Sequence, residues 1–167
     1  MKKQIVQYYV EGEDEKKLVD TLKNTMKVIA PGKLQKLNVL QELIKDAHLR
    51  PLKQGTIVVL IFDTDTNNVE ILKRNMKKLK DCSYISSVIT IPQVPNLEGE
   101  LVRSCNIRQI TELLNSRSAR DYKSDLIRIT NLHSKLEEHE FDINKFWSEQ
   151  PGEPYQDISN DAGKIKL

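Results

Sequence analysis

The chain alternates short apolar runs with amphipathic stretches over its first 95 residues, and two of the runs end in carboxylates. Gln4–Val10 and Thr56–Phe62 are near-continuous apolar segments of strand length, the second rich in β-branched residues, as a strand buried on both faces requires. A third such run occupies 84–91 and stops at Pro92. Between them, Leu18, Val19, Leu22 and Met26 repeat at helical spacing and predict a helix over 13–27. Leu37, Leu40, Leu43 and Ile44 predict a helix over 37–48, with Pro51 beyond its end, and Val69, Leu72, Met76 and Leu79 predict one over 67–80. Lys27–Ala30 reads as a short strand, closed by Pro31-Gly32. Four strands separated by helices predict βαβ units and an α/β fold, with a largely parallel four-stranded sheet flanked by helices.

After Pro92 the pattern changes. Residues 95–101 read as a loop entering a short helix, and 106–115 and 122–139 read as helical. Phe141, Phe146 and Trp147 supply aromatic bulk for packing this region onto the sheet. From Pro151 the chain is polar and rich in Gly, Asp and Asn, which predicts a loosely ordered tail. The expected organisation is an α/β catalytic domain over 1–95, a helical extension over 96–150 and a polar tail over 151–167.

Composition narrows the function classes. With 38% hydrophobic and 30% charged residues, the 167-residue chain has the make-up of an ordinary globular domain. Cys82 and Cys105 stand apart from each other and the three His residues show no ligand spacing, so neither a disulfide framework nor a zinc site is expected. Met1-Lys2-Lys3 and the short apolar stretch after it lack a cleavage site, no segment is long enough to cross a membrane, and the expected location is cytoplasmic. Net charge is only +2: residues 1–100 carry 16 Lys and Arg against 13 Asp and Glu, and residues 101–167 carry 10 against 11. There is thus no global basic footprint. One local cluster follows the second acidic strand end, at Lys73, Arg74, Lys77, Lys78 and Lys80. It reads either as a solvated helix face or as a phosphate-contacting patch.

The carboxylates carry the chemistry. Val10 runs into Glu11-Gly12-Glu13-Asp14-Glu15, and Phe62 into Asp63-Thr64-Asp65-Thr66. In an open α/β sheet, functional groups collect beyond the carboxyl ends of the strands. Two such strands side by side bring Glu11, Asp63 and Asp65 into one crevice, where they repel one another unless a cation sits among them. Hard oxygen donors suit Mg²⁺, with Mn²⁺ as a substitute. Asp63 and Asp65, two apart, project to one side if the strand continues past them. Gly12 lets the chain turn tightly beside Glu11 and lets a substrate approach. Glu13, Asp14 and Glu15 fall in a first helical turn, where acidic residues stabilise the helix terminus.

These motifs resemble the Toprim domain of topoisomerases, bacterial primases, overcoming-lysogenization-defect nucleases and small ribosomal-RNA maturases. Val10-Glu11-Gly12-Glu13-Asp14-Glu15 looks like its first motif and Phe62-Asp63-Thr64-Asp65 like its second, the likeness covering roughly 4–95. The resemblance implies a Toprim-like, Rossmann-like sheet and Mg²⁺-dependent phosphodiester chemistry on DNA or RNA, with Glu11, Asp63 and Asp65 as catalytic and metal-binding residues. Glu11 would serve as a ligand or as the acid/base for the reacting oxygen. Of the helix-start acids, Glu15 is the one near a position that is acidic in some nucleases of the class these motifs resemble. No partner domain with a nucleophilic Tyr is evident, so a small standalone nuclease in RNA processing, DNA repair or defence is the expected form. Glu98, after the fourth strand, is a further candidate ligand. Gly12, Lys33, Lys73, Arg74 and Lys77 are candidate phosphate or nucleic-acid contacts.

Competing readings of the same residues differ in class. Asp63-x-Asp65-x-Asn67 begins like a calcium EF-hand loop, but Asn68 replaces the required Gly and Arg74 the closing Glu, which excludes it. An apolar strand before Asp-x-Asp also opens haloacid-dehalogenase-type phosphatases, with the first Asp as nucleophile; Asn67 departs from that motif, and Glu11-Gly12 would have no role. The non-enzymatic alternative is a Toprim-like module that binds nucleic acid, a protein partner or a second copy of itself.

Overall fold

The computed structural model describes residues 3–167; Met1 and Lys2, part of the stretch weighed above as a leader, lie outside the described residues. Its centre is a four-stranded, all-parallel sheet of β1 (Val6–Val10), β2 (Lys33–Lys36), β3 (Thr56–Asp63) and β4 (Ile85–Gln93), in the order β2-β1-β3-β4. β1 and β3 are the inner pair, which explains their unbroken apolar runs. Alternate residues feed two cores. Tyr8, Val10, Val59, Ile61, Ile89 and Ile91 face one layer of helices. Tyr9, Val58, Leu60 and Phe62 face the other, which includes α3 (Glu70–Lys80). The α/β class and the flanking helices are therefore as the sequence predicts.

The short strand is not at 27–30. Ile29 makes only an isolated antiparallel bridge with Lys166, and β2 lies six residues further on, in the polar segment Lys-Leu-Gln-Lys. An edge strand needs a backbone partner but little side-chain burial, so β2 leaves no apolar signature. Gly32 precedes it, where an added Cβ would stand 2.5 Å from the carbonyl oxygen of Val6. The helix predicted over 13–27 is α1 (Glu13–Asp20), continued by a π-helical turn over Thr21–Thr25. Of the helix predicted over 37–48, only α2 (Asp46–Leu49) forms. Leu37, Leu40 and Ile44 are buried as expected, but an irregular backbone carries them. The buried Asn75 of α3 stabilises that path, accepting from Ile44 N at 2.7 Å and donating to the carbonyls of Val39 (2.9 Å) and Glu42 (2.8 Å).

The extension comprises α4 (Leu97–Ser104), α5 (Thr111–Leu114), α6 (Ala119–Arg128) and α7 (Leu132–Glu138). The stretch 122–139 is two helices, because Ile129 adopts extended backbone at the end of α6. Phe146 packs against Phe141 and Trp147, with ring centroids 5.4 and 4.5 Å apart, in the same core as the sheet.

The tail is the clearest departure from expectation. Tyr155, Ile158, Ala162 and Ile165 are buried, and Thr90 of β4 bonds Ser159 O (2.7 Å) and Asp161 N (2.9 Å). Residues 151–167 thereby cover the edge of β4, a role that a few well-placed apolar residues and backbone bonds can perform in a polar segment. Among the described residues no helix is long and apolar enough to cross a membrane.

Candidate metal centre

The chain leaves β1 for one side of the sheet and β3 for the other, so the switch point of the topology lies between the carboxyl ends of these two strands. The register pairs Tyr9 with Leu60, which delivers Glu11 and Asp63 to nearly the same level. Gly12 caps α1, and the first helical turn brings Glu15 beside Glu11 at the carboxyl end of β1. One carboxylate oxygen from each of Glu11, Glu15 and Asp63 lies within 4.8 Å of the other two.

This is an electrostatically costly arrangement. Among the described residues, none of the three forms an ion pair with a basic side chain. Burial, then the charge and hydrogen bond of Glu11, push the Asp63 carboxyl up to about 8; only the Gln93 amide, 2.7 Å from Oδ1, opposes this. Glu15 is pushed up to about 10, by burial first and then by the hydrogen bond and charge of Asp14. Burial also raises Glu11, partly offset by its hydrogen bonds to Asp63. Without a cation the site therefore holds protons at neutral pH.

Two buried polar atoms beside the triad lack hydrogen bonds. The Tyr122 hydroxyl of α6 is fully buried and unpartnered, its pKa driven up by burial and then by the charges of Glu98, Asp14 and Glu15. Glu98 Oε1 is also unbonded; the Lys123 ammonium, 3.7 Å away, is in ion-pair range but too far for a hydrogen bond. The charges of Glu98, Asp14, Glu15 and Asp63 all raise the Lys123 pKa, which places this cation at the rim of the crevice. Clustered hard oxygens and unpartnered polar atoms fit a divalent cation such as Mg²⁺.

The sequence candidates divide sharply. Glu11 and Asp63 meet as expected, and Glu15 joins them. Asp65 does not: β3 ends at Asp63, the chain bends, and Asp65 is exposed, accepting from Asn96 Nδ2 at 3.3 Å. It remains near enough for its charge to raise both Glu11 and Asp63. Glu98 faces Tyr122 and Lys123 beside the triad. The chain bends at Glu11 and Gly12, but Gly12 does so in ordinary extended backbone (φ −143°) open to any residue; what glycine provides is space, since a Cβ would stand 3.1 Å from Asp14 Oδ1 and 3.2 Å from Glu15 Oε2.

The basic candidates are not gathered at the crevice. Lys33 pairs in register with Gln7, near the amino end of the sheet, whereas Lys36, beside Val10, reaches the carboxyl end and pairs with Glu13 at 3.0 Å. Lys73 pairs with Asp157 at 3.2 Å and Lys77 with Asp81 at 2.7 Å. Arg74 and Lys77 line an open groove of about 700 Å³ whose wall includes Tyr84, next to the amino end of β4. This groove is thus remote from the carboxylates.

Gln93, Tyr122 and Lys123 are the site residues that the sequence reading missed. Gln93 had a readable signal, a polar residue closing the apolar run of a strand. Tyr122 and Lys123 sit in a polar helix with none. Compared with known proteins, the chain matches no family model, no curated protein and no solved structure.

Proposed function

We propose that the Glu11–Glu15–Asp63 crevice binds Mg²⁺, or Mn²⁺ in its place, and that the protein hydrolyses phosphodiester bonds of nucleic acid as a Toprim-type nuclease. The observation that supports this reading is the triad itself: three mutually repelling carboxylates, without a basic partner, at the switch point of a parallel sheet. A bound divalent cation supplies Lewis-acid polarisation of the phosphoryl group and stabilises charge developing on the reacting oxygens. Glu11 and Asp63 are the residues to hold it. Glu15, buried and retaining its proton to high pH, is placed to hand a proton to a leaving oxygen. Lys123 brings positive charge to the rim, where an anionic substrate would meet it. A phosphatase with Asp63 as nucleophile fits less well, because Glu11 and Gln93 both engage that carboxyl and Asp65 is turned away as its acid/base.

The test is cleavage of labelled single- and double-stranded DNA and RNA with Mg²⁺ or Mn²⁺, by wild type, Glu11→Gln and Asp63→Asn. Metal-dependent cutting by wild type alone is the expected result and names the substrate class. Hydrolysis of a small phosphomonoester instead would point to the phosphatase. No cutting of any substrate, and no thermal shift with either cation, would leave a binding module.

A further inference from the structure

A chain of hydrogen bonds runs from Asp63 out of the crevice and into the helical extension. Gln93 Nε2 donates to Asp63 Oδ1 at 2.7 Å, and Gln93 Oε1 accepts from the Trp147 indole Nε1 at 3.2 Å. Gln93 is fully buried and Trp147 is 1% exposed. The indole N–H can only donate, so Gln93 must turn its amide oxygen to Trp147 and its nitrogen to Asp63. Trp147 is fixed in turn. It stands in left-handed backbone (φ 54°), with its own N–H donating to Glu100 Oε1 at 2.9 Å. Glu100 is clamped by Val94 N at 2.7 Å and Arg103 Nη1 at 2.7 Å.

We propose that Gln93 and Trp147 are positioning residues for Asp63, forming a relay that holds its carboxylate toward Glu11 and Glu15 and couples the state of the crevice to the extension. The consequence for cation binding rests on the metal-centre reading above. With the Trp147 N–H in place, the amide nitrogen must face Asp63 and holds its Oδ1 by donation. Without that N–H the amide is free to flip and present oxygen to oxygen. Groups that orient a metal ligand in this way typically contribute about 10- to 100-fold in metal affinity.

Trp147 is the single tryptophan of the chain, so its indole N–H gives one cross-peak in a ¹⁵N–¹H spectrum of the full-length protein. Without metal, Asp63→Asn is expected to shift that peak, and the same substitution in a Gln93→Met background is expected to leave it unmoved. With Mg²⁺, the peak is expected to move in wild type but not in Gln93→Met. Calorimetric Kd values for Mn²⁺ should rise about 10- to 100-fold in Gln93→Met and by less in Trp147→Phe. Trp147→Phe keeps the ring against Phe146 while deleting the donor, and so carries the test if Gln93→Met fails to fold. The proposal is overturned if Asp63→Asn leaves the indole peak in place, or if folded Gln93→Met and Trp147→Phe both keep the wild-type Kd. If wild type binds neither cation yet Asp63→Asn moves the peak, the metal centre fails and the positioning contact stands.

Discussion

Glu100 and Glu15 are both buried carboxylates of this protein, and their surroundings are built in opposite ways. Glu100 is fully buried, yet its oxygens accept from the backbone N–H groups of Val94 and Trp147 and from Arg103. Burial raises its pKa, and those three partners pull it back. Glu15, 4% exposed, has Asp14 and Asp63 as its charged neighbours, and burial and both charges push its pKa the same way. The first carboxylate joins strand, helix and aromatic anchor, a structural role complete within the chain. The second belongs to a group whose electrostatics the chain leaves unbalanced, which is what a site awaiting a cation requires. Removing a charge should therefore have different consequences at the two places.

The largest effect is expected at Glu100. Glu100→Ala leaves two buried N–H groups and Arg103 without their acceptor, and should lower stability by about 3–5 kcal/mol in denaturant unfolding. Glu15→Gln mimics the protonated side chain already present at neutral pH, and should change stability at pH 7 by no more than about 0.5 kcal/mol. Equal losses in the two variants would erase the distinction between them.

Next in size is the response to metal. If the crevice takes Mg²⁺ or Mn²⁺, a concentration one hundred times Kd should stabilise wild type by about 2.7 kcal/mol. Glu11→Gln and Asp63→Asn should lose that gain, read as the shift in Tm. The same cation should leave the instability of Glu100→Ala uncorrected relative to wild type, because its partners are not in the triad.

The pH dependence sharpens the contrast further. The Asp63 carboxyl rises from an ordinary value of 3.8 to about 8 in the folded chain. Below about pH 4 both folded and unfolded forms are protonated there, and the native protein bears no penalty. As pH rises, the unfolded side chain ionises first, so the native state loses stability through the window up to about pH 8. Urea unfolding of metal-free protein should show this decline between pH 4 and 8. Asp63→Asn should flatten it, and Mg²⁺ should oppose it by favouring ionised Asp63. A metal-free stability that rises over this window would contradict the raised Asp63 value.

The same contrast explains what the sequence could disclose. β1, β3 and β4 were legible because buried parallel strands need continuous apolar runs, and Glu11 and Asp63 were legible because they close two of those runs. β2 was not, because an exposed edge strand of Lys, Leu, Gln and Lys needs only backbone pairing. The 37–48 segment buries Leu37, Leu40 and Ile44 but exposes Leu43, and it does not form its helix, because one distant side chain, Asn75, satisfies an irregular backbone. Glu15 looked like an ordinary helix-start acid, and nothing local distinguishes it from Glu13, which is exposed and paired with Lys36. What separates them is tertiary: Glu15 faces Asp63, and Glu13 does not. The tail misled for a related reason, since its polar composition hid four buried side chains, Tyr155 and Ile158 in one core and Ala162 and Ile165 in the other.

The smallest expected effect concerns the basic helix. Lys73 and Lys77 are exposed and matched by Asp157 and Asp81, and Arg74 and Lys77 border a groove near the amino end of β4. Exposed pairs of this kind contribute little. Lys77→Ala should leave Tm unchanged within error, and should leave both Mn²⁺ affinity and any nucleic-acid cleavage at wild-type levels. Lys123→Ala removes a cation whose pKa registers the charges of Glu98, Asp14, Glu15 and Asp63. It should therefore weaken nucleic-acid binding and reduce the salt dependence of that binding, as expected for a lost phosphate contact. Electrophoretic mobility shifts at two salt concentrations would compare the variants directly. If Lys77→Ala weakens binding and Lys123→Ala does not, the substrate path runs along α3 rather than across the crevice, and the positive charge at the rim serves only to balance Glu98.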